Sequence, residues 1–124
     1  MIGEYFSQDK PIACSIYFRL SETSPEVIEK FTSACLEILS KNEGQLDFSI
    51  GLRALQYARN DTATDFDVVV NIKFQDFHTL NKFEKTTLSN DFAWTTAGMI
   101  TRAEKHYYYP YTSENTDHCR GENV

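Results

Sequence analysis

Imidazole is the side chain that titrates near neutral pH, so the three histidines, His78, His106 and His118, come first as candidates for proton transfer. His106 lies inside an expected strand and is the candidate general acid or base. Without a catalytic task it would be a partly exposed strand histidine. His78 falls in the first turn of an expected helix, on its wet side, and His118 in a polar C-terminal run, so neither receives a role. The three stand far apart and no carboxylate–histidine pair at helical spacing accompanies them, so no metal site is expected. Glycine-rich phosphate loops, nucleophile triads and nucleotide fingerprints are missing, and no cofactor is expected.

A second set of residues has the chemistry to hold a ligand. Tyr17, Arg19, Arg53, Asn71 and Tyr108 combine aromatic walls with guanidinium and amide groups that orient an aromatic or carboxylate-bearing molecule. Tyr and Arg are equally favoured where two chains meet, so the same set has an interface reading. Trp94, with Phe92, either closes the mouth of the pocket or packs in the core.

These residues need elements to position them, and the clearest is the run DFDVVVNIKFQ, Asp65 to Gln75. Phe66, Val68, Val70, Ile72 and Phe74 alternate with Asp67, Val69, Asn71 and Lys73, a period of two that predicts a strand with one apolar face. Pro11 opens an earlier strand, IACSIYFRL. Ile12, Cys14, Ile16, Phe18 and Leu20 point one way, and Ala13, Ser15, Tyr17 and Arg19 the other. Cys14 therefore reads as a small core residue.

Ser24 is a good N-cap and Pro25 suits the first helical position. Val27, Ile28, Phe31, Ala34, Cys35, Ile38 and Leu39 follow as one apolar stripe, and Gly44 supplies a left-handed stop. A second strand begins near Gln45 and has room to reach Ala58, with Leu46, Phe48, Ile50 and Leu52 on its apolar side and Gly51 suggesting a bulge. Asp76 caps a second helix carrying Phe77, Leu80 and Phe83. A break is expected at Ser89-Asn90-Asp91 before a short helical restart. The last strand, Thr101 to Tyr111, holds four tyrosines, and Pro110 confines it to an edge or a strand end.

The order β-α-β-β-α-β is the split βαβ, an α+β ferredoxin-like arrangement. Right-handed crossovers place strands one and three centrally, two and four at the edges, and both helices on one face. The open face would carry Ser15, Tyr17, Arg19, Ser49, Arg53, Val69, Asn71 and Lys73, with Glu104, His106 and Tyr108 from the last strand. Aromatic and aliphatic groups interrupt the polar ones there, so a second copy is the expected cover. The division is an arm over 1–10, one domain over 11–111 and a disordered tail over 112–124.

Composition excludes several classes. A net charge of -6 argues against a nucleic-acid partner. No apolar run approaches the roughly 18 residues that cross a bilayer, and MIGEYFSQDK lacks the pattern of a secretory leader. Cys14, Cys35 and Cys119 are odd in number and lack CxxC spacing, so reduced thiols in a cytoplasmic protein are expected.

The stretch FDVVVNIKFQDFHTLNKFEKT, with the strand ending at Phe74, the Asp76 turn, then Leu80 and Phe83, resembles the dimeric α/β-barrel superfamily. Within it, the pattern is similar to the stress-responsive A/B-barrel family over roughly residues 11–109. That resemblance implies a homodimer whose sheets close a barrel. It further implies a stress-responsive protein binding a small apolar or aromatic metabolite, a cofactor-independent monooxygenase or polyketide-cyclase-type enzyme, or a non-catalytic interaction module. Members often carry a histidine at the start of strand one and another in the turn after the second helix. Here those places read Ile12-Ala13-Cys14 and Thr87-Leu88-Ser89-Asn90-Asp91. Haem-degrading relatives use an Asn, a Trp and a His, but no histidine follows Trp94 on its helix, so that activity is not carried over.

Overall fold

A computed structural model describes residues 10–57 and 65–110; the expected arm before Lys10, part of the hairpin connection and the C-terminal tail lie outside the described residues. Strand β1 spans Ile12–Leu20, β2 Gln45–Leu52, β3 Val68–Phe74 and β4 Ile100–Tyr108. They form one antiparallel sheet in the order β2-β3-β1-β4, the ferredoxin-like order expected. Helix α1 covers Pro25–Ala34 and continues as a π-helical turn, Cys35–Leu39. Helix α2 covers Phe77–Phe83, continues as the π-helical Glu84–Phe92 and ends in the short α3, Ala93–Thr95.

Local chemistry sets the helix starts. Ser24 Oγ accepts the Val27 N–H at 3.4 Å, with Pro25 next in line. Asp76 Oδ1 accepts the Thr79 N–H at 2.9 Å. Both helices pack their apolar stripes on the even-numbered side chains of β1 and β3. Ile12, Cys14, Ile16, Phe18 and Leu20 are buried with Val68, Val70, Ile72 and Phe74. At one end of the core Phe18, Phe31 and Phe92 form an aromatic triad with ring centroids 5.1, 5.7 and 5.8 Å apart. At the other, Phe74 stacks obliquely on Phe83 at 5.0 Å.

Several local expectations are corrected. Strand β2 stops at Leu52 and gives way to a 3₁₀ turn, Leu55–Tyr57. Its register slips between Gln45 and Asp47, so Leu46 leaves the apolar row and is exposed. The helix does not break at Ser89-Asn90-Asp91. There Ser89 Oγ and Asn90 Nδ2 bond back to the carbonyls of Glu84 and Lys85, five residues earlier, and the chain winds through as a wide π-helical stretch. Strand β4 ends at Tyr108, leaving Pro110 beyond it.

Gly44 sits in the turn before β2 with φ 78°, not at the helix end, and its carbonyl accepts the Gln75 N–H at 2.8 Å. A Cβ there would lie 2.5 Å from Thr79 Cγ2, whereas Gly98, at φ 84°, has open space around it. Gly44→Ala should therefore cost at least about 1 kcal/mol and clearly more than Gly98→Ala. Urea unfolding midpoints compare the two; equal losses would show that the Thr79 contact is irrelevant.

Candidate functional site

The register of the sheet builds the open face row by row. Ser49, Asn71, Ser15 and His106 lie side by side across β2, β3, β1 and β4. Gly51, Val69, Tyr17 and Glu104 form the next row. The buried Ser15 donates to Asn71 Oδ1 at 2.6 Å, and Asn71 Nδ2 donates to Ser49 Oγ at 3.4 Å. Asn71 is thus committed to holding the sheet together.

A cleft of about 250 Å³ opens at the β1–β4 side, lined by Tyr17, Asp65, Phe66, Arg102, Glu104 and His106. The Tyr17 ring stands edge-to-face between Phe66, at 5.2 Å, and His106, at 5.6 Å. Glu104 Oε2 lies 3.0 Å from His106 Nε2 and orients the imidazole. Arg102 spans Asp65, at 3.4 Å, and Glu104, at 3.8 Å. All of these charged groups are half-exposed, so solvent screens their ion pairs and geometry is their main contribution. The arrangement offers an aromatic wall, a guanidinium and an imidazole steered by a carboxylate, the parts needed to seat a flat molecule and move a proton.

The candidate residues are only partly brought together. Tyr17 and His106 meet in the cleft. Arg19 faces Arg102 directly across β1 and β4, an arrangement of like charges that sends Arg102 toward Asp65 and Glu104. Arg53 follows β2, and its buried Nε has no hydrogen-bond partner among the described residues. Neither it nor Asn71 lines the cleft. Trp94, in α3 on the helix layer, is 81% exposed, so it neither closes this cleft nor packs in the core.

Phe66 and Asp65 were not recognisable as site residues. Phe66 shares the parity of Val68 and Val70, but it precedes β3, so the alternation does not govern it and its ring crosses to Tyr17.

Tyr108 pairs with Ala13 and so keeps the open-face parity of Glu104 and His106, and at the end of β4 it also borders a second cavity, of about 360 Å³, that lies on the helix side between the start of β1, α2 and the end of β4. Its neighbours there include Ile12, Phe77, Leu80, Glu84 and Tyr107. The Tyr107 hydroxyl donates to Glu84 Oε2, and Lys105 Nζ lies 3.7 Å from the same oxygen. Burial, then the Glu84 hydrogen bond and charge, push the Tyr107 phenol above its ordinary range. Cys14 and Cys35 are buried free thiols, pushed up to about 12 by burial, with the Glu84 charge a smaller cause at Cys14. Among the described residues no group of three or more His, Cys, Asp or Glu side chains is placed to hold a metal.

No family model and no curated protein sequence matches the chain. Solved structures do. A dimeric ferredoxin-like protein of unknown function from Thermobifida fusca superposes with a TM-score of 0.66 at 12% identity, over 83% of this chain and 93% of the other. This is a ferredoxin-like fold. A DABB family protein from Mesorhizobium loti gives 0.63 at 18% identity, over 81% of this ferredoxin-like chain and 96% of its own. SnoaB, a cofactor-independent oxygenase from Streptomyces nogalater, gives 0.60 at 12% identity, over 85% and 97%. At these identities the likeness is one of fold, and it agrees with the resemblance drawn from the sequence.

The buried thiols of this ferredoxin-like domain should be inert. At pH 8, Cys14 and Cys35 should stay unmodified by a thiol reagent while the chain is folded and react fully in denaturant, as peptide mass mapping would show. Fast modification of Cys14 in the folded chain would contradict its placement. A raised acid pKa keeps a proton in the folded state that the unfolded state releases. The two thiols therefore make stability fall as pH rises from about 9 toward 12.

Proposed function

We propose that the protein works as a cytoplasmic homodimer whose two open sheet faces meet to form a barrel. The cleft beside Tyr17 and His106 then binds a small apolar or aromatic molecule. The observation that supports this reading is the open face itself. Val69, Tyr17 and Phe66 interrupt its polar rows, and no second layer of described residues covers them. A second copy covers that face at least cost, since two-fold pairing is the commonest assembly, and the Thermobifida fusca structure of the same fold is described as dimeric. In this reading Tyr17 and Phe66 form the aromatic wall. Arg19 and Arg102 orient a polar end of the ligand, Arg53 stabilises the paired faces, and Asn71 holds the strands behind them in register.

A second reading, an enzyme of cofactor-independent monooxygenase or cyclase type, is favoured by the Glu104–His106 pair beside Tyr17. There His106 takes the proton of a phenolic or activated C–H substrate, with Glu104 stabilising the imidazolium. It shares its fold with an oxygenase that needs no cofactor. A barrel solidly filled by side chains would instead leave an interaction module.

Light scattering should give twice the 14.3 kDa chain mass at micromolar concentration; a 14.3 kDa particle overturns the dimer. Native mass spectrometry of the purified protein should reveal the bound molecule as a mass increment. If turnover of that molecule is found, His106→Ala should reduce it at least about tenfold while leaving the melting temperature nearly unchanged. Full turnover in that variant would remove His106 from the chemistry.

A further inference from the structure

Arg19 stands on the open face two residues from Tyr17 and directly opposite Arg102, which lines the cleft. Arg102 has acids of its own, Asp65 and Glu104, and Glu104 also holds His106. A third acid at this end of the sheet, Asp67, commits Oδ2 to the Leu20 N–H at 2.8 Å. No ion pair joins Arg19 to any carboxylate among the described residues. Arg53, whose N–H bonds to the Asp67 carbonyl at 3.1 Å, brings another guanidinium to the same end, with a buried Nε that has no partner among them.

Arg19 is exposed, so water solvates its charge while the face stays open. Covering the face changes that. A guanidinium keeps its proton at any physiological pH, and a charge taken out of water with no anion beside it is costly. With the faces paired as proposed for the working protein, the reading on which this inference rests, Arg19 needs an anion at the rim of an aromatic cleft. We propose that the ligand of the cleft is a small aromatic carboxylate, held by Arg19 with its ring against Tyr17 and Phe66, and that its binding and the pairing of two copies strengthen each other.

A carboxylate meets the guanidinium fork with two parallel hydrogen bonds, and the aromatic wall takes the ring. A neutral phenol leaves the guanidinium unpaired, and an ammonium sets a second positive charge beside it. Because the ligand relieves a charge that pairing desolvates, it favours the dimer, and the dimer favours the ligand to the same degree.

Sedimentation velocity of the full chain over a dilution series tests this by measuring the dimer dissociation constant with 2-naphthoate, 2-naphthol or acetate. The naphthoate should tighten the dimer at least about tenfold. Naphthol and acetate, each with half of the recognised chemistry, should act far more weakly. Arg19→Gln removes the unpaired charge, so it should tighten the dimer without ligand and abolish the response to naphthoate, with the melting temperature recorded to confirm folding. A looser dimer in that variant would mean that an acid of the second copy already pairs with Arg19, and would overturn the proposal. A wild-type dimer indifferent to naphthoate, or tightened equally by either comparison molecule, would overturn it too, while the faces still pair. A chain that stays monomeric at every concentration, with and without naphthoate, instead overturns the pairing and this inference with it.

Discussion

The structure depends on the burial of one face of a single strand pair. In β1 and β3 the even-numbered side chains are buried by the helices, and the odd-numbered ones face away from them. Apolar burial at roughly 25 cal/mol per Å² means that each large side chain in this layer contributes on the order of 2 kcal/mol. A one-residue slip would turn nine buried residues, from Ile12 to Leu20 and Val68 to Phe74, to the other face at once. That cost holds the register firmly, and the register decides which polar groups meet on the far side.

The sheet therefore separates two environments built from similar residues. On the open side Glu104 and Arg102 are half-exposed, and water screens them until something covers the face. On the helix side Glu84 is largely enclosed, next to a tyrosine that keeps its proton. A carboxylate in the first place orients an imidazole. In the second it holds the Tyr107 hydroxyl beside Lys105. The same chemical group takes a different task because its solvation differs.

Strand β4 links the two. As an edge strand it is largely exposed on both sides, and its alternation sends His106 and Glu104 to the open face and Lys105 and Tyr107 to the helix side. A Tyr, a Lys and a His within three consecutive positions thereby serve two sides of the sheet with opposite solvation. The π-helical run from Glu84 to Phe92 completes the arrangement. It brings Glu84 to the end of β4 at one end, and at the other places Phe92 in the aromatic triad.

Much of this was legible in the residues alone. The extent of β1, the caps at Ser24 and Asp76, the core parity of β1 and β3 and the order of strands all rest on patterns two to four residues long. Those patterns encode propensity, capping and amphipathicity directly. The site was legible only where it lay on these regular elements, as Tyr17 and His106 do. Phe66 crossing to Tyr17, Leu46 slipping out of its row, Trp94 turning to solvent and Glu84 meeting Tyr107, 23 residues away, were decided by the tertiary structure. Each depends on where a strand begins, where a bulge falls or how wide a helical turn is wound. Those choices are set by the packing of distant segments, and no local period records them.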